Sequence, residues 1–307
     1  MPTVCYGMNG SFIALPPTRF PTSLKWTVSQ LLHEDRVIEA REMSYKVNQI
    51  DNVGIEAEAL VREKGTIFHP RPWLMIEAIE QEVGGDFQKV QQVIAENSDA
   101  LCDEYGWDRS KKLMVTFLPW EAEVPYMPAR WGFFSSRNPY DKICLPYHLL
   151  ANELLLISTF RHEVTHYITR NVCSGREARW VTEGLATINE NRNYTPIIAK
   201  MKEATVWFDP TRVDALLTSD NRDQALQENI HFAYAQSNAL VRTLIAQKGH
   251  PLFKDFLAAI GHETLWSDAS WKILGTSYTS GALSHVYKIS EHEFFRDIGH
   301  QLKSGKI

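Results

Sequence analysis

The sequence predicts an α+β fold, mainly helical, with a small mixed sheet beside one long central helix and a helical lobe towards the C-terminus. Three observations carry this. Phe87, Val90, Ile94 and Leu101 recur at helical spacing, with Asp86 at the N-cap position and Gly106 just past the end. Short apolar runs rich in β-branched and aromatic residues then replace that period. From Leu149 the helical spacing returns and persists to about Gly299.

Residues 1–84 are the least patterned part of the chain. Pro16, Pro17 and Pro21 preclude a long helix at the start. Patches of helical periodicity run from Ser23 to Lys64, Pro70 and Pro72 interrupt again, and Gly84-Gly85 marks a boundary. The expectation is a mainly helical N-terminal segment, 1–84, followed by the principal domain, 85–307. Within that domain Leu113 to Leu118 reads as a buried strand ending at Pro119. Gly132 to Ser135 and Lys142 to Leu145 read as two more, separated by the turn residues Arg137 to Asp141. Leu149 to Arg170 reads as a helix whose broad apolar face carries Leu150, Leu154, Ile157, Val164 and Ile168. The lobe after Glu183 is helical, punctuated by Gly249-His250-Pro251, Gly275 and Gly281.

Composition excludes several classes. The 307 residues are 44% hydrophobic and 22% charged, with a net charge of −5, ordinary for a globular chain able to bury a sizeable core. Acids and bases are interspersed, so no basic face suggests a nucleic-acid partner. No apolar stretch approaches the ~20 residues of a membrane span. Met1 to Leu15 lacks the pattern of a secretory signal. Cys5, Cys102, Cys144 and Cys173 are scattered without a Cys-x-x-Cys pair, which reads as reduced, packed thiols in a cytoplasmic protein.

Chemistry concentrates in the helix of residues 149–170. His162-Glu163-Val164-Thr165-His166 puts two imidazoles four residues apart, one above the other on one helix face, so both project towards a common point. Glu163 is offset from that stripe, within reach of a water held there. A chance His-Glu-x-x-His usually falls on a solvated face; this one lies between Phe160 and Tyr167. Buried histidines and a buried glutamate need a partner, and a metal ion supplies one. Two imidazoles and a carboxylate, with a fourth position left for water, are what catalytic zinc takes. Glu183, 17 residues after His166 in Trp180-Val181-Thr182-Glu183-Gly184-Leu185-Ala186, completes the set if a second helix packs back against the first.

In these two motifs the chain resembles the gluzincins, the thermolysin-like clan of zinc peptidases. Within them it is most similar to the peptidase-MA-like group, where the histidine motif is followed by Trp-x-x-Glu-Gly-x-Ala. The resemblance extends over roughly Asp86 to the C-terminus and implies a zincin-like domain with one zinc ion per chain, held by His162, His166 and Glu183. It implies a metallopeptidase acting on peptide or protein substrates, in which Glu163 activates a zinc-bound water. Gly132, Phe133 and Phe134 would form the edge strand to which an extended peptide adds. Tyr234, in a Tyr-x-x-small context with Ser237, would donate to the developing oxyanion, with His231 as the other candidate. Two features depart from the clan. Thermolysin-like enzymes carry an aspartate four residues after the glutamate ligand to support a histidine, and here that position is Thr187. The Gly-x-Met-Glu-Asn signature of the large aminopeptidases is absent. Two other readings keep the same fold: a non-enzymatic zinc-containing binding or regulatory protein, and a zinc hydrolase with a non-peptide substrate. The intact Glu163 argues against the first.

Overall fold

The computed structural model describes residues 66–78, 87–118, 132–136, 140–191, 207–218, 227–262 and 277–303. Five strands form one mixed sheet: β1 (Thr66–Arg71), β2 (Leu74–Ala78), β3 (Leu113–Leu118), β4 (Phe133–Ser135) and β5 (Asp141–Pro146), in the order β1-β2-β3-β5-β4. The central three are parallel, and β1 and β4 are antiparallel edges. Ile76, Val115 and Ile143 stand in one row across β2, β3 and β5. With Leu74, Leu113, Phe117 and Leu145 they join the apolar core. β2 and β5 are buried along their whole length, including the polar Glu77, Asp141 and Lys142, so both faces of these strands are covered.

Helix α1 (Phe87–Tyr105) follows β2 and ends where Gly106 adopts φ +73°, the left-handed cap its sequence predicts. Asp86, Gly84 and Gly85 lie outside the described residues, as do Cys5 and the prolines near the start. The mainly helical reading of 1–84 needs correction over its last part. Residues 66–71 and 74–78 are strands, paired into the same sheet as those after residue 84. Pro70 hid β1, because a proline argues against a central strand. It is tolerated here because β1 is an edge and its register slips between Phe68 and Arg71, where the missing N–H breaks no ladder.

The central helix α2 (Glu153–Val172) starts later than its periodicity predicts. A 3-10 turn covers Tyr147–Ala151, and the Asn152 side chain then caps the helix by accepting from the Leu155 N–H at 3.1 Å. Its buried stripe is Leu156, Phe160, Val164, Tyr167 and Ile168, whereas Leu154, placed on the apolar face from spacing, is 81% exposed. Tyr167 fastens α2 beneath the sheet's end: its ring stacks on Trp73, and its hydroxyl accepts from Trp107 Nε1 at 2.8 Å.

After a turn at Cys173–Gly175, α3 (Arg179–Asn189) packs on α2. The lobe then comprises α4 (Pro210–Thr218), α5 (Gln227–Gly261), α6 (Tyr278–Ala282), a π-helical turn at Leu283–Tyr287, and α7 (Glu291–Lys303). The path of α5 breaks at Gly249, φ +80°, before Pro251, as the Gly-His-Pro run predicts. Gly281 lies inside α6 rather than between elements, and Gly275 is outside the described residues.

Gly184 sets the distance between α3 and α5. A Cβ there would overlap the Ser237 carbonyl oxygen and stand 2.7 Å from Val241 Cγ2. Gly184→Ala should therefore destabilise the protein by about 1–3 kcal/mol, the usual scale for overpacking a core. Chemical denaturation reads this directly. A midpoint equal to wild type would mean the helices separate freely and the close approach sets nothing.

Candidate metal centre

The turn at Cys173–Gly175 reverses the chain, so α3 runs back along α2. Contacts at both ends fix that orientation. Thr182, near the start of α3, meets His166, while Glu190, just past its end, meets His162. Glu183 lies between. Its Oε2 stands 3.5 Å from Nε2 of both His162 and His166. One donor atom from each of these three residues lies within 4.8 Å of the others, a group that could hold a metal ion. These are the three residues singled out as ligands from the sequence.

The protons are where a metal needs them. His162 Nδ1 faces Glu190 Oε2 at 3.0 Å. A carboxylate only accepts, so Nδ1 carries the hydrogen and Nε2 presents a lone pair to Glu183. His166 Nδ1 lies 2.9 Å from Thr182 Oγ1, which is 3.0 Å from Thr169 Oγ1. Thr169 donates its single hydrogen to the Thr165 carbonyl. Thr182 must then donate to Thr169, and can only accept from His166. So His166 also carries its hydrogen on Nδ1, leaving Nε2 free. The two lone pairs and Glu183 Oε2 all face inward. Contacts of 3.5 Å are too long for good hydrogen bonds, and Glu183 Oε2 is buried without any hydrogen-bond partner. Three acceptors pointed at one another repel unless a positive charge sits among them.

The ionisation of the metal-free cluster reflects that demand. Burial opposes a charge on His162, but the nearby carboxylates of Glu183 and Glu190 outweigh it and push its pKa up to about 10. Burial lowers His166 to about 4. Glu183 falls to about 2, against its burial, because both histidines surround it. The set therefore holds one proton in place of a cation. Imidazole and carboxylate donors in this number suit a divalent ion, and zinc among the common ones. The two histidine side chains remain 18% and 13% exposed, while Glu183 is buried.

Glu163 occupies the adjoining flank of α2, 7% exposed. Burial raises its pKa to about 7, and Glu183 and Glu190 add to the rise while His162 opposes it. Its carboxylate accepts a hydrogen bond from the Phe134 backbone N–H, which ties it to edge strand β4. The Phe134 ring lies over His166, centroids 6.5 Å apart. Gly132 enters β4 at φ +131°, a conformation that favours glycine, and a Cβ there would crowd Leu145 Cδ2 at 3.0 Å and the Cys144 carbonyl oxygen at 3.1 Å. Phe133, half-buried, pairs with Cys144. Of the residues singled out from sequence, then, His162, Glu163, His166, Glu183 and Phe134 meet at one point. Tyr234 lies on α5 one turn before Ser237, half-buried against the core, and His231 is exposed on the same helix. Neither belongs to the group of three ligands.

Glu190 and Thr182 were not foreseen. The aspartate expected four residues past the glutamate ligand is Thr187, whose hydroxyl instead donates to the Gly184 carbonyl at 2.8 Å. Glu190 is seven residues past it, two turns along the same helix face, and its longer side chain reaches the histidine that aspartate would support. An acid at that second spacing was the available signal.

Comparison with protein-family models, curated proteins and solved structures gives no match. The centre's reading therefore rests on its own geometry. Metal analysis of purified protein should find one ion per chain, and His166→Ala should remove it. Glu190→Ala should keep the ion but weaken its hold by about 10–100-fold in chelator competition, the scale for lost support of a ligating histidine. Unchanged affinity would deny Glu190 that role.

Proposed function

We propose that the chain is a zinc-dependent metallopeptidase of the gluzincin type. The observation that carries this reading is the pairing of two features: an inward-facing His162, His166, Glu183 set with an unpartnered carboxylate oxygen, and a buried Glu163 beside it, bound to an edge strand. When bound, zinc supplies a Lewis acid that lowers the pKa of water and polarises a carbonyl. The chain supplies the rest.

Glu163 takes the proton of the attacking water and passes it to the leaving nitrogen. In the metal-free protein its burial already holds the proton more firmly than an ordinary carboxylate does, pushing its pKa up to about 7. β4 is an edge strand three residues long, and an extended peptide laid along it is positioned by main-chain hydrogen bonds, without demanding a particular side chain. Gly132 lets the start of that strand pack closely on β5 and α2, and the Phe134 ring forms a wall over His166. In this reading Tyr234 donates its hydroxyl to the oxyanion as charge develops.

Two outcomes follow. Glu163→Gln should retain the metal and lose peptide hydrolysis by at least ~100-fold. Near-normal turnover by that variant, or no cleavage of a broad peptide library by the metal-loaded wild type, would sink the peptidase reading. Tyr234→Phe should lower kcat by roughly 10–1000-fold with KM little changed, since the hydroxyl acts only in the transition state. If kcat holds while the melting temperature falls, Tyr234 is a packing residue, and His231 becomes the candidate donor.

A further inference from the structure

One face of α3 does all its work at the centre. Successive helical residues are about 100° apart, so Arg179, Thr182, Glu183, Ala186 and Glu190 fall on one stripe spanning about 100°. Thr182 orients His166, Glu183 meets both histidines, Ala186 is buried, and Glu190 orients His162. Arg179 opens the stripe, one turn before Glu183, at the end nearer His166. Unlike the other members it is exposed. Its charge acts on both His166 and Glu183, consistent with a guanidinium close to the centre.

The neighbouring arginines are committed. Arg161 donates to the Asn189 carbonyl at 2.7 Å and to Asn97 Oδ1 at 3.1 Å. Arg170 donates to Gly175, and Arg176 lies over the Tyr278 ring. The Arg179 backbone N–H donates to the Asp214 carboxylate, and its charge also acts on Glu177 and Asp214, but among the described residues its guanidinium makes no side-chain hydrogen bond or close ion pair. Even Glu183, at the favourable i+4 position, is turned from it towards the histidines. Position gives this cation a use. Glu183 and Glu190 both lie against the histidines, and Glu163 is buried beside them, so carboxylates crowd the centre. A substrate carboxylate arriving there would be repelled unless Arg179 met it.

Resting on the peptidase reading, we propose that Arg179 is an anion-recognising residue of the substrate cleft, so that preferred peptides carry a carboxylate close to the scissile bond. An acidic side chain and a free C-terminus offer the same chemistry, and a planar guanidinium binds either through paired hydrogen bonds.

The test measures binding, apart from turnover, with full-length zinc-loaded protein carrying Glu163→Gln. Fluorescein-labelled peptides are compared by anisotropy in two matched series: one Glu moved along the peptide against its Gln twin, and a free against an amidated C-terminus. At one register the charged peptide should bind about tenfold tighter than its neutral twin, and the advantage should shrink as salt is raised. Adding Arg179→Ala should bring the ratio to near one, with the melting temperature unchanged because the residue is exposed. Arg179→Lys should restore part of it. An advantage in the Glu series identifies an acidic side chain as the source, and one in the second series the terminal carboxylate. Equal binding of charged and neutral twins, or a preference that survives Arg179→Ala, overturns the proposal and leaves the peptidase reading standing. Failure of every peptide to bind overturns both.

Discussion

Two imidazole lone pairs and a carboxylate oxygen, gathered within 4.8 Å and all directed inward, are tolerable only with a positive charge between them. Much of the surrounding structure enforces that direction. Glu190 holds the hydrogen of His162 on its outer nitrogen, and the Thr182–Thr169–Thr165 chain does the same for His166. Neither device works unless α3 lies antiparallel on α2. The Tyr105–Asn189–Thr165 network and Arg161 tie the far end of α3 to α1 and α2. On the other side, Gly184 admits α5 against the turn of α3 that carries Glu183. The glycine beside the ligand is thus a packing requirement of the ligand's own helix.

The sheet has a separate role. Its three parallel strands, buried on both faces, fix the position of β5 and hence of edge strand β4. β4 reaches the centre through the Phe134 N–H on Glu163 and the Phe134 ring over His166. The ligands come from α2 and α3, and the flank on which a chain could lie comes from the sheet. Glu163 belongs to both: it sits on the helix that carries the two histidines and bonds to the strand.

What the sequence disclosed was local. His162, Glu163 and His166 are linked by one helical turn, a relation that survives any tertiary arrangement. Glu183 was legible because a known spacing and an adjacent glycine accompany it. Glu190 was not, because its partner is 28 residues away and their meeting depends on how two helices cross. The same limit explains the sheet. β3 and β5 announce themselves as apolar runs, whereas β1 contains Pro70 and becomes a strand only because its position at an edge and its slipped register accommodate the missing donor. Leu154 fits the apolar period of α2 but stands near its first turn, where nothing covers it. Periodicity gives the direction of a side chain; what waits there is settled by other elements.

The same geometry bears on whether such a centre is structural or reactive. A structural zinc site closes itself with four protein ligands, and among the described residues three are gathered here, with both histidine side chains partly exposed. Glu163 weighs further. A carboxylate 7% exposed, set among Glu183 and Glu190, is an unfavourable arrangement, and burial pushes its pKa up despite the nearby His162. A scaffold built only to hold an ion would lose nothing by placing an apolar residue there. A base that must both accept and release a proton near neutrality needs such a tension. The position at which α2 is least comfortable is therefore the one that most favours a hydrolase over a metal-bound binding protein.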